Sequence, residues 1–436
     1  MPASPSRPPE TPPILRGRAT AKCRLILLTA AGLFLFQTGA AIALDSPAKP
    51  ELGWLSTIET NASLTQITQL AYSASSSSTQ NTLRGDVVFS LPAATSDKVG
   101  HSLLMQLRAG HVGGSASPVE TFADTNAAIF EREDNDQHSL LLAQAWYQLS
   151  IPLPAHTVAT ENSLLLTVGK VDPFLFFDQN SAADDETTHF INSALVHNSL
   201  LDAGSDIGTD HYGFSHGVHL AFRHASARSG LREASIGLFR HHNDAYPEHP
   251  LSSYSILAQL DLGLMLPSEH EGRYRLYGWH NPRARRFANE AAPRSEIHRG
   301  IGLSLEQPLN AFVSLFVRAG KSIAGAQCFD RSVTTGLDIR GHYWNRHNDS
   351  IGFAHARLKS SAAFSRDAPA LDADADGVSD FGWNASGTEA ITEIYYRMHL
   401  NKHFEIGPDI QYISRPSANP LASDLLVTGL RILVSL

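Results

Sequence analysis

From Glu393 to the end of the chain, apolar and polar side chains alternate with a period of two. One row reads Ile394, Tyr396, Met398 and Leu400, then Phe404, Ile406, Ile410 and Tyr412, then Leu426, Leu430, Ile432 and Val434. The row between reads Glu393, Tyr395, Arg397 and His399, then Glu405, Gly407, Asp409 and Gln411, then Gly429, Arg431 and Ser435. A strand points successive side chains to opposite faces, so each segment has one greasy face and one charged or small face. This is the pattern of a transmembrane barrel, apolar toward lipid and polar toward a lumen.

The same pattern recurs along the chain, and no helix-period run of comparable length interrupts it. The alternation predicts strands near 58–72, 82–92, 100–112, 139–153, 163–173, 214–226, 231–243, 254–266, 272–281, 298–309, 311–323, 331–341, 349–361, 388–402, 404–416 and 424–436. Alternation in the first strand and in 349–361 is broken by Ala and Ser. The expectation is an all-β fold, a transmembrane antiparallel β-barrel of about 16 strands, an even number as bacterial single-chain barrels have. Connection lengths agree. Alternate gaps, near 93–99, 154–162, 227–230, 267–271, 310, 342–348 and 403, are short, whereas 113–138, 174–213, 282–297 and 362–387 all fall in the other set. Short turns on one side and long loops on the other are a barrel property, which a soluble sandwich or propeller has no reason to share.

The N-terminal region supplies an export signal. Arg16, Arg18, Lys22 and Arg24 precede an apolar run from Leu25 to Phe36, and Ala41-Ile42-Ala43 offers an A-x-A cleavage site. The expected organisation is a signal peptide over 1–43 with cleavage near Ala43, a short periplasmic segment over 44–57 and the barrel over 58–436. No later segment reaches the roughly 18 consecutive apolar residues of a spanning helix. Cys23 leaves with the leader, so Cys328 has no disulfide partner within the chain. The formal charge is -9; the leader carries Arg7, Arg16, Arg18, Lys22, Arg24 and Glu10, so its loss makes the remainder more acidic still. Such acidity gives no support to nucleic-acid binding.

With the strands closed, the alternation assigns Arg108, Lys170, Arg223, Arg240, Asp261, Arg318, Asp338, Arg340, Glu393, Arg397, Asp409 and Arg431 to the lumen. Charged groups of both signs can donate to and accept from the hydroxyls of a neutral polyol. Against that stands the plainer reading that the charges only hydrate the lumen and brace its wall. The segment 174–213 is too long for a plain connection. Its Phe174-Leu175-Phe176-Phe177 cluster wants burial, and Thr187 or Asp185 would cap a short helix through Leu195 to His197. Folded inward, this loop would set the narrowest point of the pore.

Gly169-Lys170-Val171-Asp172-Pro173, then Phe177-Asp178-Gln179-Asn180 and Phe190-Ile191-Asn192, resemble the centre of the carbohydrate-selective porins of the OprB family. Tyr395-Tyr396, Gly407-Pro408-Asp409-Ile410-Gln411-Tyr412-Ile413, Pro416 and Gly429-Leu430-Arg431 are similar to that family's C-terminal signature. Ser417-Ala418-Asn419 departs from it, standing where a glycine-rich turn is usual. The resemblance implies an outer-membrane channel for passive diffusion of sugars. Its implied partners are sugars, outer-membrane lipid including lipopolysaccharide, and the barrel-insertion machinery. The rival reading is a plugged or non-selective barrel whose outer loops bind calcium or a surface partner.

Asp372, Asp374 and Asp376 with Gly377 form the D-x-D-x-D-G opening of a calcium loop, followed by Asp380. The twelfth position is Trp383 rather than a bidentate Glu, so calcium would need a ligand from elsewhere, such as Glu389. No cofactor is otherwise required. His241, His242, Asp244, Glu248 and His249, and the pair His216 and His219, have no recognised metal spacing. Arg273, Arg275, Arg283, Arg285 and Arg286 lie with Tyr274, Tyr277 and Trp279, aromatic types that more often form an interfacial girdle. No nucleophile elbow, phosphate loop or paired-carboxylate constellation points to catalysis.

Overall fold

The computed structural model describes residues 58–91, 99–128, 137–154, 160–210, 212–226, 230–241, 254–265, 270–289 and 291–436. The expected leader with its cleavage near Ala43, the 44–57 segment, and His242, Asp244, Glu248 and His249 lie outside these residues. Sixteen strands form: β1 (Glu59–Tyr72), β2 (Ser77–Leu91), β3 (Gly100–Gly114), β4 (Gln137–Leu153), β5 (Thr160–Val171), β6 (Ser215–Ser226), β7 (Gly230–Arg240) and β8 (Tyr254–Met265). They continue as β9 (Glu271–Arg285), β10 (Arg294–Pro308), β11 (Val313–Ala324), β12 (Phe329–Arg340), β13 (Ser350–Ser360), β14 (Thr388–Asn401), β15 (Phe404–Ser414) and β16 (Leu425–Ser435).

Each strand pairs antiparallel with its neighbours in sequence, and β16 closes on β1 with Leu430 opposite Thr68. Closure leaves no sheet edge, which hydrocarbon requires because it offers no partner for an unpaired N–H or C=O. The differences from the expected bounds are local. β2 begins at Ser77 rather than 82, because Ser73 N–H donates to Ser76 O at 2.8 Å and closes a tight hairpin with β1. β9 continues to Arg285 rather than 281 along the register of β10.

Side-chain parity sorts the two faces. Leu103 and Met105 of β3, Leu260 and Leu262 of β8, and Ile394 of β14 lie exposed on the outer surface. The inward row of β13 is Gly352, Ala354, Ala356 and Leu358, all buried. Its small residues explain the weak alternation there: a short helix packs directly against that strand and leaves no room for longer side chains.

That helix, α1 (Ser193–Val196), belongs to the chain between β5 and β6, which folds into the barrel. Its cap is Asn192, whose side chain accepts from Ala194 N–H at 3.0 Å, and not Thr187 or Asp185 as expected. Asp185 instead closes a turn of its own, accepting from Thr187 N–H at 2.9 Å and from the hydroxyls of Thr187 and Thr188 at 2.6 and 2.8 Å. The helix starts later because the N–H groups of Ile191 and Asn192 are taken by Glu393 on the wall.

Parity also corrects two assignments. Arg240 shares its face with Ile236 and Leu238 and lies opposite Tyr254, so it stands on the outer surface at the loop end of β7, not in the lumen. Tyr277 and Trp279 have the parity of Arg275 and face inward, 2% and 4% exposed, rather than forming a girdle.

Candidate functional site

The inner wall from β2 to β5 carries a ladder of polar side chains. Asp86 sits between two guanidiniums, accepting from Arg84 Nε and Arg108 Nε at 2.7 Å each, and from Gln106 Nε2 at 2.7 Å. Gln106 Oε1 accepts from Gln144 Nε2 at 2.7 Å, and Gln144 Oε1 accepts from the Asp172 N–H at 3.2 Å, where the wall hands over to the loop. A cavity of about 410 Å³ separates this ladder from the inserted loop. On the loop side it is lined by Asp172, Phe174, Asp184, Asp185, Glu186, Thr187, His197, Tyr212 and Phe214. Arg84 also reaches across to the Glu186 carboxylate, bounding the cavity on one side.

Aromatic faces complete the lining. Phe174 stacks flat on His197, with ring centroids 3.8 Å apart and planes 2° from parallel. Burial holds the His197 imidazole well below its usual range, so the stack is uncharged. The Arg108 guanidinium lies 5.1 Å from the Phe214 ring centroid and the Lys170 ammonium 5.6 Å from it. Lys170 follows Gly169, whose φ of 148° suits glycine, and pairs with Asp210 at 3.1 Å. Burial pushes the carboxyls of Asp172 and Asp184 up to about 6. Burial also raises Asp185, but the hydrogen bonds from Thr187 and Thr188 outweigh it and hold that carboxyl below the usual range.

The wall from β8 to β16 is covered. Arg318, 1% exposed, pairs with Asp178 at 3.1 Å and donates to the carbonyls of Asp178, Ala183 and Leu195 at 3.0, 2.6 and 3.0 Å. Asp178 also accepts from Tyr277 Oη at 2.6 Å and Asn198 N–H at 2.7 Å. Glu393 accepts from Ile191 N–H at 2.6 Å and Asn192 N–H at 2.9 Å, while Arg431 donates to the carbonyls of Glu186, Thr188 and His189 at 3.0, 2.9 and 2.6 Å. Asp409 lies buried beside them, and Gln411 holds both Asn192 and the Thr125 carbonyl. The chain from 115 to 128 therefore enters too, joined to the larger loop by Ala127 N–H to Ile191 O at 2.7 Å.

The sequence-derived candidates are thus divided by location. Arg108 lines the cavity, whereas Lys170 does not and reaches Phe214 and Asp210 beside it. Arg318, Glu393 and Arg431 face inward but are spent on the loop, and Asp409 is buried beside them, accepting from Gln411 Nε2 at 3.2 Å. Near the turn end, Arg223 pairs with Glu233 at 2.7 Å and Arg397 with Glu405 at 2.5 Å, while Arg340 is exposed. Asp338 accepts from Tyr395 Oη at 3.0 Å, and Asp261 is taken by Arg273 and Arg275 at 2.5 and 3.0 Å. Sequence reasoning passed over Arg84 and Asp86, although both alternate with Leu83, Val87 and Phe89 in the expected second strand.

At the loop end, Phe287, Phe364, Phe381 and Trp383 pack edge to face, with centroids 4.8–6.4 Å apart. Phe364 comes from a second short helix, α2 (Ala362–Asp367). Beside this cluster, carboxylate oxygens of Asp372, Asp374 and Asp376 lie within 4.8 Å of one another. Asp380 does not join them, since it accepts from Ala373 N–H at 2.9 Å and Asn289 Nδ2 at 2.8 Å. Glu389 is buried at the barrel rim, where it accepts from Phe122 and Ser417 N–H at 2.8 and 2.6 Å, and so is not available as the missing ligand. His216 and His219 point to opposite faces, and His219 stacks on Phe176 at 4.1 Å.

Residues 263–436 match the family described as carbohydrate-selective porin, OprB family. The fold is similar to the high-pH structure of Pseudomonas putida OprB, with a TM-score of 0.65 and 15% identity over 88% of this chain and 96% of that one. It is also similar to the anion-selective porin from Comamonas acidovorans, with a TM-score of 0.49 and 9% identity over 87% of this chain and 99% of that one. No curated protein matches the chain.

Proposed function

Taking the chain as an outer-membrane porin whose 263–436 region carries the OprB-family pattern, we propose that it conducts sugars passively through the opening between the β2–β5 wall and the inserted loop. The observation that carries this reading is the make-up of that opening. Guanidiniums of Arg84 and Arg108 donate, carboxylates of Asp86, Asp185 and Glu186 accept, and the uncharged Phe174–His197 stack offers a flat apolar face. A sugar needs all three, since its hydroxyls are donors and acceptors around the edge of a ring whose C–H faces are apolar. The groups replace part of the solute's hydration, and solute leaves as it entered, down its gradient. Asp86, Asp172, Asp184, Asp185, Glu186 and Asp202 outnumber the two guanidiniums of the lining, so a small anion gains least from it, while a neutral polyol meets acceptors throughout and donors at Arg84 and Arg108.

No catalytic role is assigned. Asp372, Asp374 and Asp376 form a candidate calcium site with oxygen donors suited to a hard cation, and with ligands still to be completed by water.

Swelling of liposomes carrying the folded protein tests the transport reading. Entry of glucose is expected to outpace that of an amino acid of similar size. Equal rates would replace it by a general porin, and no swelling from a folded barrel would overturn it in favour of a plugged one.

A further inference from the structure

The outer surface carries a concentration of positive charge at one place. On the lipid-facing parity of β11, β12 and β13, at their loop ends, stand Lys321, Arg331, Arg357 and Lys359, all exposed. Lys321 lies directly opposite Arg331 across one strand pair, and Arg331 directly opposite Lys359 across the next. Directly opposed side chains in an antiparallel pair have Cβ atoms about 5 Å apart, and like charges in that position repel. That face of the three strands contains no Asp or Glu. Asp330, at the strand end, pairs with Arg331 at 3.2 Å, while among the described residues Lys321, Arg357 and Lys359 make no ion pair. In a chain of net charge -9, three cations in one transverse row with a fourth beside it form a site for an anion.

Two further features narrow the anion. Above the row, a surface recess is lined by Arg331, Lys359 and Arg366 with Ser360, Ala362, Ser365 and the single carboxylate of Asp330, so that three cations and two hydroxyls stand against one acid. Toward the membrane centre, the same face continues into Val333 and Phe353, with Ile394 beside them on β14, 50, 48 and 45% exposed. A ligand that meets both must be charged at the level of the strand ends and hydrocarbon below it. From this we infer that β11–β13 bind a phosphorylated saccharolipid of the outer leaflet, the lipid A part of lipopolysaccharide, with phosphate on the Lys321–Arg331–Lys359 row and acyl chains along Val333, Phe353 and Ile394. Sugar hydroxyls of the headgroup take the recess. The site lies outside the lumen, so it is independent of what the pore conducts.

The test is a fluorescence titration of the full chain, folded in detergent, with diphosphorylated lipid A, with the same lipid stripped of phosphate, and with inorganic phosphate as a competitor. Wild-type protein is expected to bind the diphosphorylated lipid and to lose that binding when the phosphates are removed. The combined variant K321Q, R331Q and K359Q is expected to weaken binding about a hundredfold, since each cation near an anionic surface contributes roughly fivefold. Arg232→Gln, also outward but at the opposite end of the barrel, is expected to leave it unchanged. Equal binding of the stripped lipid, or undiminished binding by the triple variant, would overturn the proposal. Displacement by millimolar inorganic phosphate would overturn the assignment to a lipid. The two wild-type lipid titrations decide the matter even where the variant does not fold.

Discussion

The inner wall has two halves that alternate alike and do different work. Between β2 and β5, Arg84, Asp86 and Arg108 bind chiefly one another and border an open cavity. Between β8 and β16, Arg318, Glu393 and Arg431 bind backbone of the inserted loop and border nothing but protein. An inward-pointing charge is therefore not by itself a pore-lining charge. What separates the halves is the path of a loop, whose carbonyls and N–H groups must find partners once they leave water.

The sharpest way to break this distinction is Arg318→Met. The substitution strands the Asp178 carboxylate in a buried site and frees three carbonyls, a loss of about 3–5 kcal/mol by analogy with broken buried pairs. Single-channel conductance is expected to rise and the sugar preference to fall as the loop comes off the wall; unchanged conductance would mean that the loop is held elsewhere. Glu393→Gln keeps the shape but turns one of the two acceptor oxygens into an NH2 that faces a backbone N–H, so a smaller loss of about 1–3 kcal/mol is expected in thermal unfolding, with a modest conductance change.

Changes on the open half should act in the opposite manner, on selectivity with little effect on stability. Arg108→Gln, which leaves Asp86 paired with Arg84, is expected to raise the cation-to-anion permeability ratio severalfold, read from reversal potentials, while leaving the melting temperature close to wild type. Lowering the pH from 7.5 to 5 should move that ratio the other way. The Asp172 and Asp184 carboxyls, raised to about 6 by burial, are charged at the start and neutral at the end, while Asp185, held low, stays charged and His197 stays neutral. Arg340→Gln, exposed at the turn end, should change neither property measurably.

The strands were legible because a period of two is a local property. Even β1 and β13, with interrupted alternation, fall where the sequence places them, since closed ladders on both sides fix them. Parity held more information than residue-type preference. Tyr277 and Trp279 share the parity of Arg275, and Arg240 that of Ile236 and Leu238, so their faces were written in the sequence even though aromatic and arginine habits suggested otherwise. The division of the lumen was not legible. Glu393 and Arg340 alternate alike, and only the partners brought by residues 178–198 tell them apart. The 115–128 entry into the barrel was hidden for the same reason, since its partners Gln69, Glu389 and Gln411 are remote in sequence.

The stitching of the loop also orders events in time. Apart from Arg84, which reaches Glu186 from β2, the wall side chains that tether residues 178–192 are made after them, on strands that include β9, β11, β14 and, last of all, β16 with Arg431. An assembling barrel that has not yet received its final strand has a loop without its Thr188 and His189 tether. The narrow opening is consequently the last part of the molecule to take shape, completed by the same strand that joins β1 and seals the wall.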